Sequence, residues 1–459
     1  MATTSAPETQ PATGLVPRLG LASIVVFGLA YMAPGVVVST FGVIAVTSHG
    51  SAPTAYLVAT LAMALTALSY GKLARAYPQS GSVYTYARKL LDSRIGFLAG
   101  WAILLDYFFL PMVAWLIQGL YMNVQFPSLP VWAWLVVNIG VTTIINTLGI
   151  VLADRVNKIL LTLTALGLVA LVAVCVHHLG GSSASGGSHA LWNQATSVGA
   201  VTAGAAIAAY SFLGFDAVST LSEEVHDARR NVPRGILLTV VVGGAIFFVI
   251  ALVMQWVHPG TAFDDESTAG YAIAITAGGK HFADVLNVIT MLGGLASCVA
   301  IQASTSRLMY VMGRDGVLPR RTFGYLSPRF RTPLFNILLI AVVGLFATKL
   351  SLATATSFIN FGAFLAFALV NVCVVAMWLR HRHRGERMGV FAYVVLPVAG
   401  AAVDLYLMTK LSHAAVYLGL SWLALGVVYL VVLTRGLRQP PPELSFDAPA
   451  GEPLVALAD

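Results

Sequence analysis

Long apolar stretches, separated by short polar or Gly/Pro-rich segments, run along almost the whole chain. A bilayer core of about 30 Å requires about 20 apolar residues per helix. About twelve stretches of that kind predict spans near residues 20–47, 54–76, 95–122, 131–150, 156–178, 198–223, 235–257, 283–312, 333–348, 353–379, 390–410 and 413–434. Segments 1–19 and 439–459 lack this pattern and predict disordered cytoplasmic tails.

The composition supports a membrane protein and excludes a water-soluble one. Only 10% of the 459 residues are charged and 58% are hydrophobic, whereas soluble domains carry about 25% charged residues. The net charge of +7 would suit nucleic acid, but in a membrane protein a basic excess usually marks cytoplasmic loops. We therefore expect a lipid bilayer as the environment and no nucleic-acid partner.

The basic residues predict the orientation of the spans. Lys and Arg near helix ends prefer the cytoplasm. If the N-terminus lies inside, only Lys280, Lys349 and Lys410 of the 26 basic residues fall outside. This alternation predicts twelve spans with both termini cytoplasmic.

Two spans carry an interruption at their middle. Ala33-Pro34-Gly35 interrupts the first span and Leu213-Gly214-Phe215-Asp216 the sixth, and Pro and Gly both weaken a helix. Because the second break comes five helices after the first, and five is an odd number, a second set of five would insert upside down relative to the first, as in inverted-repeat transporters. The predicted halves are residues 20–178 and 198–379, followed by two further helices in 390–438. Ordinary packing kinks are the alternative reading of both breaks.

Three ordered motifs carry a family resemblance. They are LSYGKLARAYPQSGSVYTYARKLL (68–91), FLGFDAVSTLSEEVHDARRNVPRGI (212–236) and STSRLMYVMGRDGVLPR (304–320). They resemble the amino acid–polyamine–organocation superfamily. Within it the chain resembles the bacterial putrescine importers, through FGLAYMAPG (27–35), LLDYFFLPM (104–112), SFLGFDAVSTLSEE (211–224), SRLMYVMGRDGVLP (306–319) and INFGAFLAF (359–367). The resemblance implies an all-α leucine-transporter-type fold with five plus five inverted helices, broken helices 1 and 6, two appended helices and a bacterial plasma-membrane location. Two positions depart from related patterns: Ser39 stands where putrescine importers carry an acid, and Pro34 offers no amide for a substrate carboxylate.

Two acidic residues fall inside predicted spans and are the main substrate candidates. Charged side chains at membrane depth cost roughly 2.5–3.5 kcal/mol on insertion scales and usually serve a function. Asp216 at the second break and Asp106 in the third span are predicted to hold an ammonium group or carry a proton. Alternatively, Asp216 holds the free amides of the broken helix, and Asp106 makes an internal polar contact.

The remaining binding candidates surround the breaks. Aromatic rings there are predicted to contact or gate a cation, although aromatics also fill helix interfaces. The full predicted substrate set is Tyr31, Gly35, Ser39, Asp106, Tyr107, Phe212, Phe215 and Asp216.

Gating and coupling have their own candidates. Trp115 and an inner salt-bridge network of Glu223, Glu224 and Arg75 are predicted to gate, with a solvated helix end as the alternative for the network. Asp106 and Asp216 are predicted to couple transport to protons. Ser304 and Thr305 would serve if the ion were sodium, since hard cations prefer oxygen ligands.

The expected function is secondary active import of a cationic organic amine by alternating access, with an amino-acid permease or exchanger as the alternative. Neither an enzyme motif nor a GxxxxGK[ST] nucleotide loop is present in the sequence, and the three cysteines are not spaced as a zinc site. We therefore expect neither an enzyme nor a cofactor or metal. The expected partners are the substrate and a proton, or sodium in its place, and the expected state is a monomer or homodimer.

Overall fold

The computed structural model describes residues 19–77, 83–149, 154–180, 187–386 and 388–442, without the side chains of 154–158, 220, 221, 223 and 224. Apart from an isolated parallel bridge between Leu19 and Val225, the regular structure of the described residues is helical. The α-helices are α1 Leu21–Met32, α2 Val36–Thr47, α3 Ala52–Ala76, α4 Val83–Leu90, α5 Ser93–Gln125, α6 Val131–Thr147, α7 Asp154–Gly180, α8 Val198–Ala208, α9 Ala228–Val257, α10 Ala269–Arg314, α11 Arg320–Phe323, α12 Leu334–Gly344, α13 Leu352–His383, α14 Leu396–Met408 and α15 His413–Leu433.

The predicted apolar stretches are helical. Nine helical segments of the described chain are long and apolar enough to cross a membrane, and the bent pair α1 and α2 makes ten. Two shorter apolar helical segments, Val131–Thr147 and Leu334–Lys349, lie at the predicted fourth and ninth spans. The chain is thus a multi-pass membrane protein, while the count of twelve, the inverted repeat and the orientation stay predictions.

The first predicted break is present between α1 and α2, which meet at 54°. Ala33 lies in the left-handed region with φ 47°, and Pro34 follows without an amide hydrogen. Since proline cannot continue the hydrogen-bond ladder of a helix, α1 ends at Met32 and α2 begins afresh at Val36.

The second predicted break is present between α8 and the next helical segment. A short 3₁₀ turn, Ala209–Phe212, follows α8, and a 3₁₀ segment, Phe215–Glu224, follows Gly214. Gly214 has φ +103°, a conformation that side-chain-bearing residues rarely adopt. Glycine at this position therefore allows the chain to turn out of the helix.

The two breaks are held against each other. A Cβ added to Gly214 would lie 2.0 Å from Tyr31 Cδ1, so the Tyr31 ring occupies the space that a side chain would need. At the ends of the same elements, the His226 amide donates to the Leu19 carbonyl at 3.0 Å. The Asn360 amide on α13 donates to the carbonyl of Ala206 at 2.7 Å, which satisfies a free carbonyl near the end of α8.

Candidate functional site

A cavity of about 360 Å³ lies beside the two breaks. Its wall is formed by the α1–α2 break, α5, α7, α10 and the residues around Leu213. Most of the lining is apolar, and its polar side chains are Tyr31, Ser39, Gln118, Thr164, Tyr210, Thr290 and Ser297. A mostly apolar pocket with a few polar groups is typical of small-molecule sites.

The two predicted acids are brought together behind Tyr31. Asp106 and Asp216 are 110 positions apart in the chain, yet their carboxylates interact electrostatically, and both act on the Tyr31 hydroxyl. Neither carboxylate lines the cavity itself, whereas Tyr31 does. Tyr31 therefore lies between the cavity and the acidic pair.

The acidic pair has no basic partner among the described residues. Neither carboxylate forms an ion pair with Lys, Arg or His there, and both side chains are only partly buried. Two like charges that lie near each other disfavour each other, so such a pair can chemically hold a cation or a proton.

The two acids differ in what they contact. The Asp216 carboxylate lies near the backbone of Gly214, Ala217 and its own residue, which is compatible with the alternative in which it holds the broken helix. Asp106 Oδ1 is buried without a hydrogen-bond partner among the described residues. Asp106 thus has an unused acceptor, and Asp216 lies beside the backbone of the break.

Three other predicted residues lie around the same pair. Ser304 and Tyr107 lie near the Tyr31 hydroxyl. Thr305 is fully buried, and its hydroxyl donates to the Tyr107 carbonyl at 2.7 Å. The Thr305 hydroxyl therefore positions α5 against α10, and sodium binding by Ser304 and Thr305 stays a prediction.

The amides at the first break offer little to a carboxylate. The amides of residues 36–38 already donate to the carbonyls of residues 33–35, with N···O distances of 2.9 to 3.4 Å. Since Pro34 has no amide hydrogen, Gly35 supplies the one remaining donor of residues 34–38. Gly35 and Ser39 line the cavity, as predicted for substrate contacts.

The predicted aromatic gate residues of the second break face away from the cavity. Phe212 packs edge-on against Phe247 at 5.1 Å, and Phe215 packs against Tyr70 and Phe367 at 5.8 and 5.2 Å. Both are fully buried and neither lines the cavity. In this conformation they fill helix interfaces, which was the alternative reading.

Trp115 also lies away from the cavity. Its indole nitrogen donates to Thr142 of α6 at 3.1 Å, and its ring lies over Gly344 of α12, where an added Cβ would be 2.6 Å away. The cavity wall does not include it. In this conformation, the contacts of Trp115 are those of a helix-packing residue.

The inner network is only partly described. Arg75 is exposed, and its Nε donates to the Arg229 carbonyl at 3.3 Å. The side chains of Glu223 and Glu224, and the Pro78–Gly81 turn of the first motif, lie outside what the structure describes. Their gating role stays a prediction.

Several lining residues were not singled out from the sequence. The most specific is Gln118 of α5, whose amide lies across Gly294 of α10, so that an added Cβ there would be 1.8 Å from Nε2. Thr164 of α7 lies against Gly293 in the same way. The Gly-Gly pair inside an apolar span was the available signal, because small residues allow close approach between helices.

The described residues offer no metal centre. No group of three His, Cys, Asp or Glu that would hold an ion occurs among them, and Cys175, Cys298 and Cys373 are buried free thiols. The arrangement can enclose a small organic molecule, with two carboxylates behind the Tyr31 ring that lines the cavity.

Comparison with known proteins identifies the family. The amino acid permease family model matches residues 23–434. The chain is 37% identical to the low-affinity putrescine importer PlaP of Escherichia coli K12, over 93% of this chain and 95% of that protein. It is 26% identical to the methylthioribose transporter of Bacillus subtilis, over 89% and 92% of the two chains, and 24% identical to the branched-chain amino acid permease BcaP of the same species, over 91% and 93%.

Proposed function

The chain belongs to the amino acid permease family, and from this membership we propose that it imports a cationic organic amine. Putrescine is the first substrate to test, because the relative with 37% identity is a putrescine importer. The proposal is supported by two acids without a basic partner among the described residues, Asp106 and Asp216, which lie close enough to Tyr31 to influence its hydroxyl, beside a largely apolar cavity that Tyr31 lines. A diamine has two ammonium groups and an apolar linker, which suits this combination.

Charge neutralisation supports a cation over an α-amino acid. An ammonium group near the two carboxylates would gain Coulomb energy in a low-dielectric site. An α-carboxylate near the same pair would be repelled. At the first break, the Gly35 amide is the one backbone donor of residues 34–38 that is free to bind such a carboxylate. An amino-acid permease or exchanger remains the second candidate, because a relative with 24% identity transports branched-chain amino acids.

The proposed transport cycle is alternating access driven by protons in the bacterial inner membrane. The α1–α2 and α8 breaks would move relative to α5 and α10, as broken helices do in transporters of this type. Asp106, with its unpaired Oδ1, is the more available proton carrier. Asp216, which lies beside the second break, would mainly bind the ammonium group.

The test is uptake of radiolabelled putrescine into proteoliposomes under an imposed pH gradient, competed by monoamines and amino acids. We expect accumulation that saturates, and loss of it in Asp106→Asn and Asp216→Asn. Asp264→Asn is the matched control, since Asp264 is an exposed acid outside the helices. If only amino acids compete and both carboxamide variants transport normally, the substrate class and its anchors are wrong.

A further inference from the structure

A third acid lies inside the helix bundle, away from the cavity. Asp404 of α14 is fully buried. Its Oδ2 accepts hydrogen bonds from the Thr66 hydroxyl at 2.9 Å and the Asn371 amide at 3.1 Å. The Ser69 hydroxyl donates to Asn371 Oδ1 at 2.6 Å. These residues join α3, α13 and α14 near the middle of α3 and α13.

The second oxygen of Asp404 has no partner. Oδ1 is buried and makes no hydrogen bond, whereas both donors converge on Oδ2. This asymmetry fits a neutral carboxylic acid, in which Oδ2 is the carbonyl oxygen and Oδ1 carries the proton. An ionised carboxylate would leave one charged oxygen unsatisfied in a dry interior, which is the more costly state.

The charged groups on the elements packed against Asp404 are engaged elsewhere. Lys72 of α3 donates to the Ala392 carbonyl, and Lys410, beyond the end of α14, lies over the Tyr406 ring. Helix α8 has no charged or titratable side chain. In residues 352–379 of α13, the Cys373 thiol is the one titratable side chain. The tyrosines of these elements also face other partners: Tyr56 hydrogen-bonds to Thr40, Tyr70 contacts Tyr86 and Phe215, and Tyr406 contacts Thr202. Tyr393, in the helical segment before α14, lies beneath the Lys72 ammonium group. The exposed Arg75 of α3 donates to the Arg229 carbonyl.

We propose that Asp404 is a proton-binding site that transport uses in addition to the acidic pair at the breaks. The proton sits on Oδ1 while α3, α13 and α14 are packed together. When they separate, the Oδ1–H bond breaks, the proton passes to entering water, and Asp404 is left as a carboxylate.

The helices that enclose Asp404 also contact the second break. Tyr70, one turn from Thr66 on α3, packs edge-on against Phe215, which precedes Asp216. The carbonyl of Phe367 accepts from Asn371, and the Phe367 ring contacts Phe215. Movement of the break would therefore pull on the same two helices that enclose Asp404.

Packing favours a proton over a metal ion at this site. The side chains of Thr66, Ser69, Asn371 and Asp404 already hydrogen-bond to one another, with only Asp404 Oδ1 left over. A Cβ added to Gly400 would lie 2.8 Å from Asn371 Oδ1, so α14 approaches closely. This close packing leaves little space around the carboxylate for an ion and its oxygen shell.

Infrared spectroscopy of the full chain in lipid tests the protonation directly, with no substrate needed. Wild type minus Asp404→Asn should show a protonated carboxylic-acid carbonyl band at neutral pH. In Thr66→Val the band should move to higher frequency, because the carbonyl oxygen loses a hydrogen bond. Absence of the band from the difference spectrum, or an unmoved band in Thr66→Val, overturns the protonated assignment.

The coupling part rests on the proposed function and is tested by accumulation at zero membrane potential. Each coupled proton contributes about a tenfold accumulation ratio per pH unit of gradient. Under a gradient of about one pH unit, Asp404→Asn should therefore accumulate putrescine about tenfold less than wild type, while still exchanging it. Asp264→Asn should match wild type. An unchanged ratio in Asp404→Asn overturns the coupling role. If wild type neither accumulates nor exchanges any amine, the proposed function fails, and the infrared result on Asp404 still stands.

Discussion

Gly214→Ala tests whether the contact between the two breaks builds the site. The substitution acts in two ways, because Gly214 has φ +103° and an added Cβ would lie 2.0 Å from Tyr31 Cδ1. The clashing atom belongs to the base of a ring and not to the end of a flexible chain. The ring must therefore move away from its position between the cavity and the acidic pair.

Gly260→Ala separates the two effects. Gly260 has φ +101° with no heavy atom within 4 Å of an added Cβ, so it suffers only the backbone cost of about 1–2 kcal/mol. Gly214→Ala adds the overpacking against Tyr31, about 1–3 kcal/mol. We expect a loss of about 2–5 kcal/mol at Gly214 against about 1–2 kcal/mol at Gly260.

Two assays read the difference. Equilibrium unfolding in mixed detergent should rank wild type above Gly260→Ala and Gly260→Ala above Gly214→Ala. Putrescine uptake should be normal in Gly260→Ala and lose roughly tenfold or more in apparent affinity in Gly214→Ala, since 1.4 kcal/mol corresponds to tenfold. Equal destabilisation of the two variants, with wild-type uptake in both, would refute the role of the Tyr31 contact.

Three further substitutions probe the surroundings. Gly294→Ala should push Gln118 into the cavity. Uptake affinity, measured by competition, should fall, while stability in a thermal-shift assay should change little. Unchanged competition would contradict the cavity as the binding site. Trp115→Phe removes the hydrogen bond to Thr142 and should cost about 1 kcal/mol of stability, while uptake should match wild type. Lost uptake at normal stability would instead support the predicted gating role of Trp115. Asn360→Leu leaves carbonyls at the end of α8 without their hydrogen bond. The free energy of unfolding, measured by chemical denaturation, should fall by about 1–3 kcal/mol. An unchanged midpoint would show that water replaces the amide.

The class of protein and the positions of the two helix breaks could be predicted from the chain alone. Apolar length and Pro or Gly punctuation are local properties, so residues 33–35 and 213–216 could be recognised as weak points without knowing their neighbours. The two acids at membrane depth were recognisable for a similar reason, because their cost must be compensated somewhere. That they meet each other was not readable from the chain.

Which side chains face the cavity depends on how the helices pack together. Tyr210 and Leu213 line it while Phe212 and Phe215 point into helix interfaces, because the chain leaves α8 through a 3₁₀ turn and a left-handed glycine that reset its rotation. A helical period carried through such a break assigns faces wrongly. Asp404 shows the same limit: its environment comes from residues 338 and 33 positions away, and a contact between distant helices depends on how they pack, which no local pattern specifies.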